Sequence, residues 1–204
     1  TSEAKEIMSV PMCLISPKDC TPVISPVQDA VIGTYLLTRK STFIPRGTFF
    51  DLTMLVRYGE KPIPKPAIYG KKNGKWCAYY TGKQLCSFLF PKEIYLQRNT
   101  RNLDEKHISA SFDMDERYVL IDNGDVLCGQ LCKSIIGGVS RGVIHRTAKR
   151  RGNWQAAKLI SDLQRVATRW LSNHGFSIGI EDCVHSDKAQ QEIDDIIQDT
   201  YEKV

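Results

Sequence analysis

Several chemistry-bearing side chains stand near one another in this sequence, but few are spaced to act together. Asp113, Asp115 and Glu116 are close enough to hold a hard divalent cation. Their stretch lacks the glycine and closing glutamate of a calcium loop, so a solvated polar turn is expected. Seven cysteines lie at 13, 20, 77, 86, 128, 132 and 183. None forms Cys-x-x-Cys, and no histidine lies close to Cys128 and Cys132 in sequence, which argues against zinc. Buried or half-buried free thiols in a reducing compartment are expected instead. Cysteine with histidine also permits a small thiol enzyme, yet no cysteine is marked by a neighbouring base or a helix N-terminus. The phosphate loop ending in Gly-Lys-Ser/Thr, the Gly-x-Ser-x-Gly elbow and the His-Glu-x-x-His pair are all missing from the sequence. The expectation is a chain with no catalytic residues, metal site or cofactor of its own.

The formal net charge is +5, which permits contact with a polyanion without requiring it. Charge is unevenly spread. Arg141, Arg146, Lys149, Arg150 and Arg151 are crowded together, and the Arg146–Arg151 cluster reads as a nuclear-localisation or nucleic-acid patch, or simply as a solvated loop before a helix. After Gly179 the chain turns acidic through Glu181, Asp182, Asp187, Glu192, Asp194, Asp195 and Asp199. Hydrophobic residues at 42% and charged residues at 25% are ordinary for a globular fold. No apolar run is long enough to span a bilayer, and there is no secretory signal. The chain starts at Thr1, and both ends read as interrupted helices, as expected of a piece of a longer polypeptide.

The elements that position these residues follow from periodicity and punctuation. Residues 2–9 read as a helix end stopped by Pro11. Ile15 to Asp19 reads as a turn. A helix is expected from Ser25 as N-cap, with Pro26 at the first position and Gln28 completing a capping box, ending near Arg39. Thr48 and Asp51 open another helix. Pro62, Pro64 and Pro66 then force an extended path. Asn73-Gly74 marks one hairpin between Ile68-Tyr69 and 76–79, with room for a loop longer than two residues. Thr81-Gly82-Lys83-Gln84 starts a short helix that stops at Pro91. Asn123-Gly124 marks a second hairpin between 118–122 and 125–131. Gly142 to His145 reads as a short apolar run. Trp154 to Asn173, capped by Asn153, has the strongest helical spacing, with Lys158, Asp162, Arg165 and Arg169 off its apolar stripe. A last amphipathic helix starts near Ser186 and still runs at Val204. The class is α+β: helices, two β-hairpins, then helices.

The most distinctive wording is Gly175-Phe176-Ser177-Ile178-Gly179-Ile180-Glu181-Asp182, a glycine-capped joint between two helices. It resembles the joint leading into the funnel helices of the largest subunit of multisubunit DNA-directed RNA polymerases, of the eukaryotic, archaeal or large-DNA-virus type. Other blocks agree in order: Val10-Pro11 to Ile15-Ser16-Pro17, Pro22, Val27-Gln28-Asp29 and Tyr35 to Thr38. Pro66-Ala67-Ile68, Thr81 to Leu85, Pro91, Asn123-Gly124-Asp125 to Gly129, Lys133, Gly137 and Val143-Ile144-His145 continue the series.

The resemblance implies a pore domain over 1–152, followed over 153–204 by a long helix, the glycine joint and the first funnel helix. It implies a wall of the secondary channel, through which nucleoside triphosphates enter and into which the RNA 3′ end backtracks. The implied partners are the second-largest polymerase subunit, other subunits and a transcript-cleavage factor. The implied location is the nucleus, or a viral particle or host cytoplasm. The family's Asp-Phe-Asp-Gly-Asp loop would lie upstream of Thr1, so nucleotidyl transfer and its Mg²⁺ belong to the assembled enzyme. By resemblance the RNA and channel contacts are Gln28 and Lys133, with Lys18 adding charge near the same wall, although the family's own lysine sits slightly later, where Cys20 or Thr21 stands here. Against these stand simpler readings: Gln28 as a cap and Lys133 as a solvated lysine. At position 134 serine replaces the family's second lysine, which thins the basic patch. The alternative to a polymerase segment is a free-standing protein-interaction module using the same fold.

Overall fold

The computed structural model describes residues 1–57, 61–72, 74–100, 116, 118–184 and 186–203. α1 (Ser2–Glu6) is short and ends ahead of Pro11. α2 (Asp29–Leu37), β1 (Phe43–Pro45) and α3 (Arg46–Thr53) follow. The proline-rich run then leads to β2 (Ile68–Lys72) and β3 (Lys75–Thr81). Lys72 pairs with Lys75, so the hairpin turn has two residues, and Gly74 takes the positive φ (+77°) such a turn needs. α4 (Gly82–Leu89) begins with the capping box expected at Thr81 and Gln84. β4 (Leu96–Asn99) precedes the second hairpin, β5 (Tyr118–Asp122) and β6 (Asp125–Cys128). Asn123 and Gly124 both carry positive φ in its turn. Next come α5 (Lys133–Ile136), α6 (Val143–Arg151) and α7 (Asn153–His174). After a 3-10 turn at Ile180–Cys183, α8 (Asp187–Glu202) starts on its Ser186 cap.

Each hairpin gains a third strand, giving two antiparallel sheets of order β1-β3-β2 and β4-β5-β6. The fold is α+β, as expected. The two added strands were not expected. β1 is three residues long and ends in proline, and β4 is Leu-Gln-Arg-Asn, so neither carries an apolar alternation.

The α7 stripe of Ala156, Leu159, Ile160, Leu163, Val166, Ala167 and Trp170 is buried, packed chiefly on α2 and α6. Phe49 stacks on Tyr80 at 4.0 Å between ring centroids, tying α3 to the first sheet. Each fully buried Val, Leu, Ile or Phe side chain of this kind contributes roughly 1.5–3 kcal/mol. At Gly82, an added Cβ would sit 1.9 Å from the Leu37 carbonyl oxygen, so only glycine lets α4 start against the end of α2.

Three local expectations are corrected. α2 begins at Asp29, not after Ser25, and no capping box forms there. The run at 142–145 is the start of α6, so the basic cluster is helical and not a loop. Asp162 is not off the stripe. It is 2% exposed and accepts hydrogen bonds from the Arg57 backbone N–H and from Arg165. A buried carboxylate with charged and backbone donors is tolerated where a lone one is not.

The chain forms two compact units, Thr1–His174 and Gly175–Val204, with α7 inside the first. Gly175 ends α7 with φ +81°, the left-handed C-cap that its position predicts. His174 stacks on Trp170 at 4.4 Å. In the second unit the Gly179 N–H donates to Asp182 Oδ2 at 2.8 Å.

Candidate functional site

Lys18 stands at the tip of a closed loop. The Ile15–Pro22 bridge and the Val23 N–H donating to the Leu14 carbonyl pin its base. Inside it, Ser16 and Cys20 N–H groups donate to Thr21 and Ser16 carbonyls, both at 2.9 Å. The Lys18 N–H itself donates to Ser16 Oγ. The Thr21 N–H donates to Asp19 Oδ1, and hydrogen bonding from the Thr21 side chain, then from its backbone, holds the Asp19 carboxyl below its ordinary pKa. Leu14 anchors the loop in the core at 0% exposure. So many bonds to the backbone of so short a loop make a rigid mount for an exposed lysine.

Gln28 is exposed at the start of α2, and its backbone is unusual: φ 48°, ψ −120°. That region favours glycine, and a side chain there costs of order 1–3 kcal/mol. Its carbonyl accepts from Val31 and Ile32 N–H groups, so the backbone caps α2 while the side chain makes no cap bond. The capping reading of the Gln28 side chain is therefore removed, and the amide is left facing solvent.

Lys133 is exposed on the first turn of α5, whose Ile135 and Ile136 are fully buried. The loop after α5 lies directly against the Pro22–Ser25 segment. An added Cβ on Gly138 would meet the Pro22 carbonyl oxygen at 2.5 Å and Ser25 Oγ at 3.5 Å. Arg98 on β4 fixes the other side of this loop. It donates to the Ser134 carbonyl at 2.8 Å and the Ser140 carbonyl at 2.9 Å. The segment between the Lys18 loop and Gln28 thus meets the loop that follows the Lys133 helix at one seam. No hydrogen bond or ion pair links these three side chains to each other or engages them elsewhere among the described residues. Arg98, the positioning residue of the seam, gave no sequence signal, because its acceptors are carbonyls 36 and 42 residues away.

The α6 basic cluster ties α6 to the segment ahead of β4. Arg146 donates to the Arg141 and Tyr95 carbonyls, Arg150 to the Glu93 carbonyl, and Arg151 pairs with the Glu93 carboxylate. Burial, then the like charges of Arg150, Arg98 and Arg141, lower the Arg146 pKa. The bond to Arg151 leads the causes holding Glu93 below its ordinary value. His145 Nδ1 accepts from the Arg141 N–H at 2.9 Å.

Glu116 is an anchor too. It pairs with Lys83 and accepts from the Lys40 backbone N–H and from Gln130. Asp113 and Asp115 lie outside the described residues. Among the described residues no three His, Cys, Asp or Glu side chains gather to hold a metal ion, so these side chains offer Mg²⁺ no cage. All seven cysteines are free; burial pushes the Cys86 thiol up to about 12, which makes it inert as a nucleophile. No described helix is long and apolar enough to cross a membrane.

Residues 13–183 match the family model of RNA polymerase Rpb1, domain 3. The DNA-directed RNA polymerase II subunits RPB1-B and RPB1-A of Trypanosoma brucei brucei are each 31% identical over 203 residues, covering 100% of this chain and 11% of the relative. The DNA-directed RNA polymerase III subunit RPC1 of Saccharomyces cerevisiae is 29% identical, covering 99% of this chain and 14% of the relative. The chain therefore spans only a small part of the length of these relatives. With its two antiparallel sheets and central helix, it belongs to the RNA polymerase Rpb1 domain 3 family, as a segment of the largest-subunit type.

Proposed function

We propose that this segment lines the secondary channel of a DNA-directed RNA polymerase, as a pore domain over 1–152 that continues from 153 into the long helix, glycine joint and first funnel helix. Nucleotidyl transfer and its Mg²⁺ then belong to the assembled enzyme, intracellular in a nucleus or a viral setting, with the catalytic aspartates on neighbouring polypeptide. The second-largest subunit packs behind this wall, and a transcript-cleavage factor enters along it. The observation that carries the reading is the Gly138 seam. It sets the Pro22–Ser25 segment, which lies between the pinned Lys18 loop and Gln28, against the loop after the Lys133 helix, and the reading takes these two exposed lysines and the strained, exposed amide as parts of one wall. Phosphates of an extruded RNA 3′ end are attracted by the lysines, and the Gln28 amide offers both donors and an acceptor to a base or ribose.

The test is photo-crosslinking of backtracked RNA in the intact polymerase, with the reactive group at the RNA 3′ end. Adducts at Gln28 or Lys133 are expected, and Lys133→Gln should lower their yield. Backtracked complexes that crosslink elsewhere but never to this segment would remove the channel assignment.

A further inference from the structure

The β2–β3 hairpin carries the least explained surface of the first unit. Positions 61–92 hold seven lysines and no acid or arginine. Two of these lysines are paired at a distance: Lys61 with Asp125 at 2.6 Å, and Lys83 with Glu116. Lys65, Lys71 and Lys75 are exposed and in no ion pair among the described residues. The strand register sets the rest. Tyr69 pairs with Ala78 and Lys71 with Trp76, so Tyr69, Lys71 and Trp76 share one face of the hairpin. Tyr69 is 65% and Trp76 69% exposed, and Lys71 Nζ lies 5.2 Å from the Trp76 ring centroid. The opposite face is partly closed by Tyr79, whose ring packs 3.3 Å from where a Gly70 Cβ would sit. That packing stiffens the ribbon behind the open aromatic face. Lys75, by parity on the opposite face, adds positive charge beside the tip.

We propose that the Tyr69–Lys71–Trp76 face is a docking site for single-stranded nucleic acid, separate from the Lys18, Gln28 and Lys133 surface. Two flat rings at diagonal positions, about 7–8 Å apart along the ribbon, are a stacking platform for bases. The surrounding acid-free lysines attract the phosphates that connect them. Charge complementarity selects a polyanion. The aromatic pair favours one with unpaired bases over an acidic peptide, and lysine is depleted at protein–protein interfaces. Stacking tolerates any base, so the site reads strandedness and not sequence.

The test uses the polymerase assembled around the full subunit, with a photoreactive benzophenone side chain replacing Tyr69. The probe is an end-labelled oligouridine of about 12 nucleotides, within the usual length range of such sites. A crosslink to the probe is expected, competed by unlabelled single strands and not by duplex. Trp76→Ala should cut its yield about tenfold, and Trp76→Phe should retain most of it. The yield should fall steeply with salt, and Lys71→Gln should flatten that slope. Crosslinks confined to polypeptide, no crosslink, or a yield indifferent to Trp76→Ala would each overturn the proposal. RNA 3′-end adducts at Gln28 and Lys133 report on the channel wall independently, so either result can fail alone.

Discussion

Two basic regions of the first unit have similar charge and opposite fates. On α6 and β4 the engaged cations are Arg98, Arg146, Arg150 and Arg151, whose guanidinium groups end on backbone carbonyls at Tyr95, Glu93, Ser134 and Ser140, and on the Glu93 carboxylate, while Lys149 is exposed. On the β2–β3 hairpin Lys71 and Lys75 are exposed and without an ion-pair partner among the described residues. Guanidinium is planar with several fixed donors, so one side chain can hold two carbonyls in place. An ammonium on a flexible stem is a hydrated point charge that does this poorly. A run of positive charge in sequence therefore says little until its acceptors are known. The denser cluster is mortar, and the looser one is the surface left open to a ligand.

The largest expected effect lies at Arg98. Arg98→Ala removes two charge-assisted hydrogen bonds and leaves the Ser134 and Ser140 carbonyls without this donor. A loss of about 2–3 kcal/mol in unfolding free energy is expected, read by denaturant titration. Arg98→Lys should recover less than half, because one ammonium cannot reproduce the fork. If lysine restored full stability, the contrast between the two regions would reduce to net charge alone.

A smaller effect separates the two regions by pH. The Glu93 carboxyl is held below its ordinary pKa, first by its bond to Arg151. A group depressed on folding adds stability that is complete above its unfolded value, near 4.5, and fades as pH falls through the folded value. Thermal melts should therefore show the α6 contact weakening on the acid side. Glu93→Gln should flatten part of that limb and leave the melting temperature near neutral pH slightly lower. An acid limb identical in the variant would mean that the pair adds nothing, as many exposed pairs do.

What the sequence disclosed, and what it hid, follows the same division. Most local signals held: the Thr81–Gln84 capping box, the Asn123-Gly124 turn, the Ser186 cap and the Gly175 C-cap each depend on residues within one turn, whereas the Ser25–Gln28 box failed. Non-local ones failed. β1 and β4 exist because β3 and β5 offer edges, not because Phe43-Ile44-Pro45 or Leu96 to Asn99 insists on being a strand. Asp162 read as a surface residue because its partner, the Arg57 N–H, lies 105 positions away. At the candidate site the identities Lys18, Gln28 and Lys133 were readable only through resemblance. The Gly138 seam and the Arg98 tether that join their elements were not, since both are contacts with carbonyl oxygens, which every residue has. The positive φ of Gln28 was hidden for a related reason: glycine advertises that conformation and glutamine does not.

The smallest expected effect is a near absence of one, and it sharpens the comparison most. Lys71→Gln and Lys75→Gln should each change unfolding free energy by no more than about 0.5 kcal/mol, since neither ammonium holds a carboxylate or carbonyl among the described residues. Lys71 does lie over the Trp76 ring, but an exposed contact of that kind contributes only about 0.5–1 kcal/mol at best. Removing positive charge from an acid-free stretch also relieves repulsion, which offsets part of that loss. Equilibrium denaturation of the two variants beside Arg98→Ala measures all three on one scale. A destabilisation by either lysine variant that approached the arginine value would mean the hairpin cations are mortar as well, and the open aromatic face would lose the free charge on which nucleic-acid docking depends.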